Sequence, residues 1–133
     1  MRLILAMLRF AELPLNETGF RALASRLKAP NAYLEAALDH LMWGEVIRYW
    51  AVVSAASLNQ AFVALKANHE ARRLQQLVEL LWARGEFDAD GVLRLARQWR
   101  EVKISLGEHS GPAIGEALTA ARLEEIAAVR QAL

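Results

Sequence analysis

One spacing, apolar residues at i, i+3, i+4 and i+7, recurs four times in this chain and constrains its fold more than any other feature. Phe20, Leu23, Ala24 and Leu27 carry it first, then Leu34, Ala37, Leu38 and Leu41. Leu74, Leu77, Val78 and Leu81 repeat it, as do Val92, Leu95, Ala96 and Trp99. Each set forms one stripe of an α-helix, and strands do not generate that spacing. Alanine and leucine dominate the chain, and both propagate helix well. Boundary signals fall between the stripes. Thr18, Asp88 or Asp90, and Ser110 are candidate N-caps, and Pro112 suits a first helical turn. Lys28-Ala29-Pro30-Asn31, Gly85 and Gly107 to Gly111 read as breaks.

These signals predict helices near 2–12, 18–28, 31–43, 57–68, 70–84, 89–101 and 112–132. The expectation is an all-α, single helical domain over residues 1–133, with about six to seven helices. Val46-Ile47-Arg48-Tyr49-Trp50-Ala51-Val52-Val53 is the ambiguous stretch. Its β-branched and aromatic residues fit a short strand pair or one buried helix, and periodicity does not choose between them.

A chain of 133 residues suits one core, and 55% hydrophobic residues is too high for disorder. With no cysteine there is no disulfide framework, thiolate zinc site or cysteine nucleophile. A formal net charge of +1 excludes a strongly basic tail but leaves room for a local basic face. The start, Met1 to Leu8, looks like a signal peptide, yet Arg9 and Glu12 interrupt it and no small-residue cleavage pattern follows. No apolar run approaches the roughly 20 residues of a membrane span. The expectation is a soluble, cytoplasmic protein with no membrane partner.

Enzyme chemistry finds little to stand on. His40, His69 and His109 lie in separate segments, and Asp39-His40 reverses the His-Asp order of metal-dependent phosphohydrolases. No nucleophile-elbow pattern is present, and Gly111-Pro112-Ala113-Ile114-Gly115 lacks the strand and Lys-Ser/Thr of a phosphate loop. The expectation is therefore no catalytic residue and no metal ligand in this chain.

Basic residues say more. A rotation of about 100° per residue puts Arg94, Arg97 and Arg100 opposite the Val92/Leu95/Ala96/Trp99 stripe, with Lys103 following. Arg72 and Arg73 open the preceding helix. Guanidinium forks match phosphate oxygens, so such a row suits a nucleic-acid backbone. It equally suits a solvated helix face, with Glu79, Glu86 and Glu101 offsetting part of the charge. Trp43, Trp50, Trp82 and Trp99 lie in or beside apolar stripes and read as core. Only Trp99, next to Arg100, comes near a base-stacking arrangement.

Two stretches go beyond generic helix. Leu23-Ala24-Ser25-Arg26-Leu27-Lys28-Ala29-Pro30-Asn31 resembles the RL-x-x-PN junction in the C-terminal region of bacterial CCA-adding tRNA nucleotidyltransferases. Gly111-Pro112-Ala113-Ile114-Gly115-Glu116-Ala117-Leu118, continuing to Ala121-Arg122 and Ile126, resembles the GPAIGEAL-x-x-AR-x-x-x-I ending of the same proteins. Leu58-Asn59 and Arg72 to Leu77 sit at matching separations, and the likeness covers roughly residues 20–133. It implies an all-helical tail, the part that in many bacteria carries an HD-type phosphohydrolase region. Such a tail helps hold tRNA while a catalytic head adds C, C and A to the 3′ end.

The chain has no combined Gly-Ser…Asp-x-Asp head motif, so Mg²⁺ is implied only for a separate or missing head. It also lacks the His-Asp pair. Leu8-Arg9-Phe10-Ala11-Glu12-Leu13 resembles the lead-in to that pair but runs on to Pro14, and only His40 lies near a position where the family often has histidine. The expected partner is the tRNA backbone, held by Arg94, Arg97, Arg100, Lys103 and Arg122, with Arg26, Lys28, Arg72 and Arg73 contributing. A catalytic head is the second expected partner.

Two rival readings stay open. Residues 1–54 also look like a winged helix of a DNA-binding regulator, with a wing at Val46–Ser54. Its recognition helix, Asn31 to Trp43, has no Lys or Arg but does have Glu35 and Asp39, a poor match to phosphate charge. The high apolar fraction and near-zero charge also fit a helical protein-interaction domain.

Overall fold

The computed structural model describes residues 2–85, 87–103 and 111–132. Seven α-helices make up these residues, with no strand among them: α1 (Arg2–Ala11), α2 (Glu17–Leu27), α3 (Asn31–Arg48), α4 (Ala55–Ala64), α5 (Arg72–Arg84), α6 (Ala89–Glu101) and α7 (Pro112–Gln131). The all-α, single-domain expectation holds, and most boundaries fall within two residues of the sequence reading. None of the described helices is long and apolar enough to cross a membrane.

Side-chain caps start three of the helices. Asn16, rather than Thr18, caps α2 by accepting from the Gly19 N–H at 2.8 Å. Of the two candidates Asp88 and Asp90, Asp88 caps α6, accepting from the Gly91 N–H at 2.9 Å. Ser54 caps α4 through the Ser57 N–H. Pro112 opens α7 behind Gly111, whose φ of +58° only glycine adopts freely. Ser110, the expected cap there, lies outside the described residues.

The stretch at 46–53 resolves against a strand pair. Helix α3 continues through Arg48, and Tyr49 to Val53 then turn back to Ser54. Ile47 is fully buried in the largest core cluster. Burial of this β-branched side chain on a helix face outweighs its modest helix propensity. The wing required by a winged helix is thus a helix end and a turn. Arg130 of α7 closes that turn, its Nη1 donating to the Trp50 carbonyl at 3.1 Å and to the Val53 carbonyl.

Helix α3 is the hub, packed on α1, α2, α4 and α5; α5 also packs on α1 and α6, and α7 lies on α4 and α6. The main core joins Ile47, Leu58, Phe62, Leu74, Leu77, Leu81, Leu95, Trp99 and Ile126. Its centre is Trp99, fully buried, tilted against Phe62 and donating from Nε1 to Asn59 Oδ1 at 2.9 Å. Smaller clusters join Met7, Leu8, Ala36 and Leu80, and Ala11, Phe20 and Ala37. All four stripe residues of α5 and of α6 are buried. Leu41 of α3 and Leu27 of α2 are exposed; on α7, Ile114, Ala117, Leu118 and Ala121 are half-buried and Ile126 is fully buried.

Candidate nucleic-acid interface

Helix α6 has two faces of opposite character. Gly91, Val92, Leu95, Ala96 and Trp99 are buried, which turns Arg94, Arg97 and Arg100 outward. All three arginines are exposed, as is Lys103 just beyond the helix end. Among the described residues none of the four belongs to an ion pair. The side of α6 is held close to the α3–α4 turn by Gly91, since a Cβ there would stand 2.7 Å from Trp50 Cζ2. Asp90 and Glu101 share the outward face, so four cations stand among two carboxylates. The face is basic but only moderately so.

Arg72 and Arg73 are placed differently. Arg72 forms a two-pronged pair with Glu35 of α3, Nη1 to Oε2 at 2.8 Å and Nη2 to Oε1 at 3.1 Å. Arg73 grips Asp39 one turn further along α3, Nε to Oδ2 at 3.0 Å and Nη2 to Oδ1. Asp39 is the one buried charged side chain among the described residues. Hydrogen bonding from Arg72 holds the Glu35 carboxyl below its usual range, and the Asp39 hydrogen bond raises Arg73 further above the ordinary arginine value. These two arginines tie α5 to α3, and their donors already have acceptors.

Arg122 is also engaged inward. Its guanidinium lies over the Trp99 ring at 4.2 Å from the centroid, and its Nε is buried without a hydrogen-bond partner among the described residues. Burial pushes its pKa down, the direction expected for a cation removed from water. It seals the core against α7 through a cation–π contact. Arg26 and Lys28 are exposed near the end of α2, which packs on α3, whereas α6 packs on α5 and α7. The structure therefore gathers Arg94, Arg97, Arg100 and Lys103 along one surface and leaves Arg26 and Lys28 on a separate helix.

The tryptophans, all expected in the core, divide between core and surface. Trp50 and Trp99 are core, Trp43 is half-buried, and Trp82 is 58% exposed. Trp99 is thus no stacking platform, despite its neighbour Arg100. Trp82 shares a groove with Val78, Ala89 and Leu93, and Leu93 lies one turn before Arg97. The signal was present in the numbering, because Trp82 falls just past Leu81 and off the α5 stripe.

Among the described residues no group of three or more His, Cys, Asp or Glu side chains converges on a metal-sized space. The two quoted segments fall at structural junctions: the first carries α2 into α3 through Lys28, left-handed at φ 52°, and the second opens α7. No family model matches the chain, and neither the curated proteins nor the solved structures gave a match.

Proposed function

We propose that this chain is a non-catalytic helical domain that binds the tRNA backbone, akin to the tail of a CCA-adding enzyme. The observation that carries the reading is the outward row of Arg94, Arg97, Arg100 and Lys103, four exposed cations with no ion-pair partner among the described residues. Guanidinium groups three residues apart on a helix track neighbouring phosphates, and neutralising phosphates releases counterions. Asp90 and Glu101 keep the affinity modest and strongly dependent on salt. Arg72, Arg73 and Arg122 contribute by holding the fold, while Arg26 and Lys28 offer a second, separate contact. In this reading Mg²⁺-dependent phosphoryl transfer belongs to a separate catalytic head. Helix α3 is a poor DNA reader, since Glu35 and Asp39 are locked to α5 and the helix is packed on four neighbours.

The test is a titration against tRNA and against duplex DNA of similar charge, each at two salt concentrations. Salt-sensitive binding that favours tRNA is expected. Replacing Arg94, Arg97 and Arg100 together by alanine should weaken it and reduce the salt slope by roughly two to three. Unchanged affinity and slope in that variant would remove the α6 assignment. A preference for duplex DNA would favour a DNA-binding regulator, and binding to neither would favour a protein-interaction domain.

A further inference from the structure

A cleft of about 610 Å³ lies between the α1–α2 loop and helix α3, away from the arginine row of α6. His40, Gly44 and Arg48 line it at i, i+4 and i+8, hence one above another on one face of α3. Two buried nitrogens on this stripe, His40 Nε2 and Arg48 Nη1, have no hydrogen-bond partner among the described residues. Buried polar groups in native proteins are almost always paired, so two orphans on one cleft point to an acceptor supplied from outside. Between them Gly44 is buried and carries no side chain, and the His40 ring lies against it, Nε2 3.8 Å from where a Cβ would stand. Exposed apolar side chains stand at the mouth: Leu13, Leu41 and Met42.

We infer that this cleft binds a small organic monocarboxylate, its oxygens on His40 and Arg48 and its apolar body against Leu13, Leu41 and Met42. Charge decides against a phosphate dianion. Arg84, at the end of α5, is already 3.7 Å from Glu12, and Glu45 offsets Arg48 in the lining, so the cleft is neutral with His40 uncharged and matches one further negative charge only when that imidazole takes up a proton. His40 faces Glu12 and Arg84 from neighbouring elements and Glu45 and Arg48 along its own helix. Burial, with Arg84 adding to it and Glu12 opposing, lowers its pKa. One carboxylate beside it stabilises the imidazolium and moves that pKa upward.

Octanoate, with octanol as the uncharged counterpart, probes the site on the whole chain, followed through the His40 ring resonances. Octanoate is expected to bind about tenfold or more tightly than octanol and to raise the His40 titration midpoint. Arg48→Gln should cost octanoate about tenfold or more and leave octanol unchanged. Glu45→Gln, an exposed rim change, should tighten octanoate by roughly twofold. Gly44→Ala serves as the folding control. Its Cβ meets nothing nearer than His40 Cδ2 at 3.6 Å, so the fold should gain stability while octanoate weakens. Equal binding of octanoate and octanol, an octanoate affinity indifferent to Arg48→Gln, or an unmoved His40 midpoint would each overturn the assignment.

Discussion

Arginines open helix α5 and line helix α6, and these neighbouring helices use them in opposite ways. At the start of α5, Arg72 and Arg73 meet Glu35 and Asp39, two carboxylates one turn apart on α3. Along α6, Arg94, Arg97 and Arg100 face outward, with no ion-pair partner among the described residues. Helix dipoles sharpen the contrast. Cations at a helix N-terminus oppose the partial positive charge there, and Ala71 provides no side-chain cap for α5. The α3 carboxylates remove that conflict by compensating both the arginines and the helix end. On α6, Arg100 sits in the last turn, where the dipole favours it. An arginine's role is therefore set by the element opposite it rather than by its spacing along its own helix.

The largest expected effect tests whether the α6 surface depends on its buried side. Trp99→Ala removes the centre of the core, the Asn59 hydrogen bond and the surface under Arg122, and should destabilise the chain by about 3–5 kcal/mol in urea unfolding. A smaller loss would mean that α6 is held by its ends. Asp39→Ala comes next. It strands a half-buried guanidinium and should cost about 2–3 kcal/mol, visible as a lower urea midpoint with an unchanged slope. The neighbouring Glu35 adds a pH signature. Its folded pKa lies below the ordinary value of 4.5, so its stabilising contribution is complete above that value. The contribution is lost as pH falls through the depressed folded value, and Glu35→Gln should flatten that part of an acid titration. The Arg94, Arg97 and Arg100 triple alanine variant should have the smallest effect on folding, within about 0.5 kcal/mol per site. If it destabilised the chain as much as Asp39→Ala, the division between fold-holding and outward arginines would collapse.

Much of the helical order was written in local spacing. The α5 and α6 stripes, with every member buried, are strong enough that packing only confirms them, and Asp88 stands where a cap is needed. Thr18 lost to Asn16 because both are capping residues two positions apart, and the choice depends on which side chain meets the Gly19 N–H. The Val46–Val53 stretch was opaque because β-branched residues favour strands until a core claims one of them, as it claims Ile47. The site was less legible. Exposure of Arg94, Arg97 and Arg100 follows from the period of α6, but capture of Arg72 and Arg73 depends on carboxylates 34 to 37 residues away. Burial of Arg122 over Trp99 depends on how α7 lies across α6. Periodicity carries no information about such distant partners.

The closure of the α3–α4 turn by Arg130 has a kinetic consequence. The carbonyls of Trp50 and Val53 find their donor 77 to 80 residues later in the chain, so this turn is completed only once α7 has docked. Contacts of such long sequence separation form late, after local helices and the pairing of α3 with its neighbours. Loss of the Arg130 guanidinium, as in Arg130→Met, should therefore speed unfolding in stopped-flow measurements and leave the refolding rate nearly unchanged. By that measure α7 governs how long the folded chain survives more than how quickly it forms.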